Sequence, residues 1–149
     1  MNMRKALLED LEEIRNLVMS LTHFYLDDSS ARLPDWFSET LTESAFAQRL
    51  TSSEFQNYVV EQDGLIVGYL SIKQGDYLYH LFVAEAFQGN GIARRLWLHA
   101  RSQTSAKVFR LRSSIYAVPV YKRLGFEESG PLGTIEGISF QPMELRLDH

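Results

Sequence analysis

No cysteine occurs among the 149 residues, so a disulfide framework, a cysteine-based zinc site and a thiol nucleophile are all excluded. Long apolar runs are lacking too. No stretch approaches the roughly 20 residues that span a bilayer, so no membrane partner is expected. A basic surplus is also missing: 15 Lys and Arg against 19 Asp and Glu leave a formal charge of −4. That balance weighs against generic binding of nucleic acid, and none is expected as a partner. Behind Arg4 and Lys5 the opening residues carry no apolar stretch, because Glu9 and Asp10 intervene; this predicts no signal peptide and a cytoplasmic location. What is present is an ordinary globular composition, 45% apolar, on a length that suits one domain over residues 1–149 with a single core.

Leu11, Ile14, Val18, Leu21 and Tyr25 recur at helical spacing with charged residues between them, predicting an amphipathic helix over about residues 9–25. Asp27-Asp28-Ser29-Ser30 breaks it. A second helix is expected from Pro34, with Phe37, Leu41, Ala45, Phe46 and Leu50 on its apolar side. From Phe55 the period shortens, and two strands joined at Asp63-Gly64 read as a hairpin. Tyr77 to Val83 is a nearly continuous apolar run, as in a central strand covered on both faces. A helix bearing Ile92, Leu96, Trp97 and Ala100 follows, then a strand from Val108 to Ser114, a short helix from Val118 to Leu124, and a last strand from Ile138 to Leu147. Pro142 in that strand suggests an edge or a bulge. The order predicts an α/β fold with helices on both faces of the sheet and one crossover of parallel character.

Gln88-Gly89-Asn90-Gly91-Ile92-Ala93 lies between the buried strand and the helix. Successive backbone N–H groups in such a turn point into one concavity, the glycines allow positive φ, and the helix N-terminus favours an anion. A pyrophosphate is the natural guest, although a plain strand-to-helix turn explains the same glycines. The turn is not a P-loop, since no Gly-Lys-Ser/Thr follows, and Arg94 replaces the last glycine of a dinucleotide fingerprint.

Gln88, Gly91 and Ala93 fill the pattern Gln/Arg-x-x-Gly-x-Gly/Ala, and Tyr121-Lys122-Arg123-Leu124-Gly125-Phe126 fills a Tyr-x-x-x-Gly-Phe ending. On these two blocks the chain resembles the GNAT superfamily of acyl-CoA-dependent N-acetyltransferases. The resemblance covers Leu65 to Phe126 well and implies the GNAT fold, a mixed and mostly antiparallel sheet of about six to seven strands. It implies direct transfer of acetyl from acetyl-CoA, as cosubstrate, to an amine acceptor, and it allows a homodimer. It places the donor's pantetheine arm along Leu81, Phe82 and Val83, with a backbone N–H near Phe82 on the thioester carbonyl. The pyrophosphate then meets Gln88, Gly89, Asn90, Gly91, Ile92, Ala93 and Arg94. Tyr121 is implied as the group that hydrogen-bonds or protonates the departing thiolate. Relatives often carry Asn on the strand before the late block; here Arg112 and Ser113-Ser114 stand there, and Ser114 is expected to make a shorter version of that contact.

A general base is not specified by the residues. His80 is the foremost candidate because an ordinary imidazole titrates near neutrality; Tyr79 and Glu43 are alternatives. The remaining histidines, His23, His99 and His149, show no metal-ligand spacing, so no metal is expected. Asp27, Asp28, Asp35, Trp36, Phe37, Glu39 and Glu43 occupy the stretch where the resemblance places the acceptor wall. Competing readings are a non-catalytic acyl-CoA-binding module of the same fold and a nucleotide-binding fold. Charge is unevenly spread: Gly91 to Gly125 carries eight Lys and Arg and no acid, so that segment is +8 and the rest of the chain −12.

Overall fold

In the computed structural model, which describes residues 1–25 and 33–147, the chain opens with a short strand, Asn2–Lys5 (β1). Leu11–Met19 forms α1, Asp35–Ser38 α2 and Glu43–Thr51 α3. The hairpin follows as Phe55–Gln62 (β2) and Leu65–Lys73 (β3), then Tyr77–Val83 (β4). Ile92–Ser102 (α4), Val108–Ser114 (β5) and Val118–Arg123 (α5) make the crossover region. Glu127–Glu128 (β6), Gly133–Ile135 (β7) and Ile138–Arg146 (β8) complete the sheet.

The strands run β1-β2-β3-β4-β5-β8-β6, with β7 also on β8. All pairs are antiparallel except β4 with β5. Eight strands stand where six to seven are expected, and the surplus is short. β1 has no apolar alternation; it is held from outside, by Arg4 pairing with Asp10 (2.7 Å) and with Glu61 of β2. Pro142 is not on an edge strand. It faces Arg112 of β5 and falls between the stretches of β8 that pair with β6 and with β7, where only its carbonyl is used, by Ser129 N–H (3.0 Å). The missing N–H of proline therefore costs no ladder bond on that side.

Both predicted N-terminal helices are interrupted, for local reasons. After α1, Ser20 Oγ donates to the Leu17 carbonyl (2.6 Å) and Thr22 Oγ1 to that of Met19 (3.1 Å), and the chain tightens to a 3-10 turn over Thr22–Tyr25. Such back-bonding competes with the helical ladder. The second helix is split by Thr42, whose extended backbone and side chain, accepting from Ala45 N–H (3.1 Å), cap α3. The polar break at Asp27 to Ser30 lies outside the described residues.

The sheet has an apolar layer on each face. On one, Ile92, Leu96, Trp97 and Ala100 of α4 pack with Tyr58, Leu70, Phe109 and Phe126; on the other, Ile14 and Val18 of α1 and Phe46 of α3 pack with Val59 and Tyr69. Gly68 of β3 lets α4 lie close: a Cβ there would meet Leu96 Cδ1 at 3.0 Å and Ile92 Cγ2 at 3.1 Å. The first turn of α4 is thereby seated over β3, directly beside the end of β4.

Candidate active site

β4 is paired with β3 from Lys73↔Tyr77 to Gly68↔Val83, but with β5 only at Tyr77↔Arg110, where the Arg110 N–H donates to the Asp76 carbonyl (3.0 Å). Past that point the two strands separate. Leu81, Phe82 and Val83 thus lie where β4 has no neighbouring strand on the β5 side, along a cleft of about 560 Å³. An open strand edge amid protein is a ready partner for an extended chain.

The turn after β4 closes one end. Gly89 and Gly91 have φ of 83° and 79°, a conformation that side-chain-bearing residues rarely adopt. Gly91 is the residue preceding α4, and no side chain caps that helix. The first intrahelical bond there is made by Arg95 N–H to the Gly91 carbonyl (3.1 Å), which leaves the N–H groups of Ile92, Ala93 and Arg94 without an intrahelical partner. All three residues line the cleft. They offer a cradle of donors at the positive end of an 11-residue helix.

Gln88 acts differently from expectation. Its Nε2 donates to the Val83 carbonyl (3.0 Å) and its Oε1 accepts from the Tyr116 hydroxyl (2.8 Å). Tyr116 in turn stacks on Phe24, ring centroids 4.2 Å apart. This chain of contacts ties the turn, the β5–α5 connection and the segment after α1 around the cleft. Phe24 and Tyr116 were not marked by sequence as site residues. Tyr116 stands in the same block as Tyr121, whereas Phe24 is identified only by its tertiary stack.

Tyr121 projects from α5 into the cleft, 8% exposed, with its ring 5.9 Å from Phe126. Its hydroxyl makes no hydrogen bond among the described residues. Burial, reinforced by nearby Tyr77, pushes the phenol well above its ordinary value of 10.0. It therefore stays protonated and available as a donor. Ser114 also lines the cleft; its Oγ accepts from Ala117 N–H (3.2 Å), leaving the hydroxyl proton free.

Two of the predicted site residues do not line this cleft. Asn90 folds back, its side-chain amide donating to the Phe87 carbonyl (3.2 Å). His80 lies on the face of β4 under α3, between Phe46 (6.1 Å) and Tyr79 (4.5 Å), with Nε2 enclosed and unpartnered. Burial first, and the positive charge of Arg49 second, hold its pKa well below 6.5. Of the eight cations in the basic segment, only Arg94 and Arg123 line the cleft. Arg110 instead pairs with Glu144 (3.7 Å), Lys122 with Glu128 (3.5 Å), and Arg112 lies over the Phe140 ring. Asp35, Trp36, Phe37, Glu39 and Glu43 stay outside the cleft, Asp27 and Asp28 fall beyond the described residues, and Leu21 and Phe24 supply that wall. Among the described residues no group of His, Asp and Glu is placed to hold a metal.

The fold is thus a mixed sheet that splits between two central strands, with a helix start that no side chain caps beside the split. A family model described as an acetyltransferase (GNAT) domain matches residues 25–147, and the chain belongs to that family. Solved structures agree over nearly the whole chain. A GCN5-related N-acetyltransferase from Rhodopseudomonas palustris is 23% identical, with TM-score 0.78 and coverage of 98% of this chain and 95% of that one. The PaiA N-acetyltransferase of Thermoplasma acidophilum, solved in complex with coenzyme A, is 16% identical with TM-score 0.79, covering 97% and 98%. A spermidine N-acetyltransferase SpeG variant from Vibrio cholerae is 18% identical with TM-score 0.68, covering 99% and 95%. At these identities the likeness is one of fold. A search of curated proteins finds no match.

Proposed function

We propose that the chain is an N-acetyltransferase that moves acetyl from acetyl-CoA directly to the amine of a small molecule or peptide. One juxtaposition supports this most: the open edge of β4, the uncapped start of α4 and the unpartnered Tyr121 hydroxyl share a single cleft. Leu81, Phe82 and Val83 offer backbone groups for pairing with the donor's amide-bearing arm, and an N–H near Phe82 polarises the thioester carbonyl. The N–H groups of Ile92, Ala93 and Arg94, with Gly89 and Gly91 shaping the turn, receive the pyrophosphate. Gln88 holds that turn against Val83. Ser114 adds a hydroxyl to the same wall.

The transfer forms a nitrogen–carbon bond as the carbon–sulfur bond breaks. An ammonium acceptor must lose two protons, one ending on the thiol and one in solvent. Tyr121 hydrogen-bonds the departing sulfur. Because its phenol is held above its ordinary value, surrender of the proton to a thiolate of pKa ~8.5 is uphill, and stabilisation by a donated hydrogen bond is its main contribution. His80, kept neutral, is a weak base; we assign the acceptor's proton to water and the small neutral fraction of an amine whose pKa lies near ~10.

The test is thiol release from acetyl-CoA across a panel of amines. Tyr121→Phe is expected to lower kcat on the order of 10²-fold while leaving acetyl-CoA binding intact. A variant that keeps its kcat removes Tyr121 from the chemistry. Wild-type protein that binds CoA but releases no thiol with any amine is the non-catalytic binding module.

A further inference from the structure

On the side of α3 that packs against β4, next to the cleft, lies a cation with no counter-ion among the described residues. Arg49 is 6% exposed, and its guanidinium sits 4.5 Å from the Phe46 ring centroid and 5.4 Å from that of Tyr79. Nη2 donates to the Thr40 carbonyl (2.6 Å), while Nε is enclosed without a partner. Arg49 forms no ion pair among the described residues. A buried charge is ordinarily paired, since leaving it alone carries an uncompensated loss of hydration. A second orphan stands beside it: His80 Nε2 is enclosed and unpartnered, in a ring 6.1 Å from the same Phe46. Of the neighbouring polar groups, Asn57 bridges the Arg49 carbonyl (3.0 Å) and the Tyr69 hydroxyl (2.7 Å), whereas Ser71 Oγ, opposite His80 in the β3–β4 register, is likewise enclosed without a partner.

Two unspent donors facing no acid describe half of a carboxylate site. A planar carboxylate takes the guanidinium edge bidentately, and the neutral imidazole, protonated at Nε2, gives a further bond. The position matters. His80 is two residues before Phe82 on the same face of β4, and their rings are 5.3 Å apart. Two strand residues span ~7 Å, so a group held at Arg49 and His80 lies that far from the thioester end of the cleft. His80 and Tyr79 are only half-buried, so the rim of the cluster reaches the surface while the two donor atoms lie just beneath it.

We infer that Arg49 and His80 form an anion subsite for the acceptor, which is therefore an amine carrying a carboxylate ~7 Å from its amino group. The inference rests on the transferase reading for its role, but its binding is measurable without turnover. The exposed acids Asp35 of α2, Glu39 of the turn after it and Glu43 of α3 favour the opposite class, a polyamine.

The probes are ε-aminocaproate, its primary amide and spermidine, each assayed for thiol release and, separately, for binding by calorimetry in the presence of CoA. The expected kcat/KM favours ε-aminocaproate over its amide at least tenfold. Arg49→Lys, chosen to keep the buried charge, and His80→Gln are each expected to bring that ratio toward one while the stabilisation of the fold by CoA is retained. Equal use of acid and amide, a preference for spermidine, or a ratio unchanged in both variants overturns the subsite. If neither these probes nor any amine of the wider panel releases thiol, yet ε-aminocaproate binds in an Arg49-dependent way, the subsite stands and the transferase reading fails. If ε-aminocaproate neither binds nor reacts, the subsite fails.

Discussion

The two edges of β4 share one strand and have opposite fates. Toward β3 the register is continuous from Tyr77 to Val83 apart from one bulge; toward β5 it ends after Tyr77↔Arg110. The edge paired with β3 gives rigidity, and the edge that parts from β5 opens the candidate site. Unpaired backbone is normally a liability in a sheet. Here it is enclosed by α4, α5 and the Phe24–Tyr116 stack rather than left on the surface. In the proposed reading, donor recognition on this edge uses main-chain groups, and side chains mainly shape the wall. On the neighbouring face of β4 the reverse holds, with Arg49 and His80 offering side-chain donors on a well-paired backbone.

The largest effect is expected from the paired edge, at the glycine that backs both β4 and α4. Gly68→Val places methyl groups where Leu96 and Ile92 already stand within about 3 Å. Overpacking of this kind costs about 2–3 kcal/mol, which lowers Tm by about 4–10 °C for a chain of this size. It also displaces the start of α4, so the KM for acetyl-CoA rises along with the loss of stability. Thermal unfolding and donor titration check both. A variant as stable as wild type shows that α4 yields without cost.

Much of this arrangement is legible in the sequence. The hairpin, β4, α4 and β5 follow from period and turn chemistry, and the two motif blocks place Tyr121 and the α4 terminus in one neighbourhood. The splitting of the sheet is different. Leu81 to Val83 read as a covered central strand, because the residue pattern reports burial of faces and says nothing about whether both edges are paired. β1 is illegible for another reason: a polar four-residue edge strand has no alternation, and its pairing depends on Arg4 meeting Asp10 and Glu61. Arg49 hides in a helix pattern where one arginine looks like solvated surface. Its role as an enclosed cation is set by the tertiary packing of Phe46 and Tyr79.

His80 sharpens the contrast between face and edge through pH. Its folded-state pKa is depressed, by burial and by Arg49, so below pH ~6.5 the unfolded chain takes up a proton that the folded chain resists. The stability tied to this group is fully present above that pH and is lost as pH falls through the window beneath it. His80→Gln removes the group, and its Tm is expected to fall less than that of wild type between about pH 7.5 and pH 5.5. Parallel declines in the two proteins show that His80 titrates normally. Tyr121, shifted upward, makes no contribution in this window, so the unpaired edge stays silent while the face responds.

The smallest effect separates local charge from net charge. The +8 of the segment from Gly91 to Gly125 suggests that donor phosphates are drawn by a broad field, but Arg110 and Lys122 are engaged with Glu144 and Glu128 while Arg94 and Arg123 line the cleft. Each pair carries +2. Arg94→Gln with Arg123→Gln is expected to raise the KM for acetyl-CoA about 3- to 10-fold and to flatten its rise with salt, since exposed charges beyond a Debye length of about 8 Å are largely screened at physiological ionic strength. Arg110→Gln with Lys122→Gln removes the same formal charge and is expected to leave both quantities near wild type. Equal responses from the two doubles mean that the segment acts as one diffuse field. An effect confined to the first double assigns the attraction to the two cations at the cleft, beside the main-chain donors that the start of α4 leaves free.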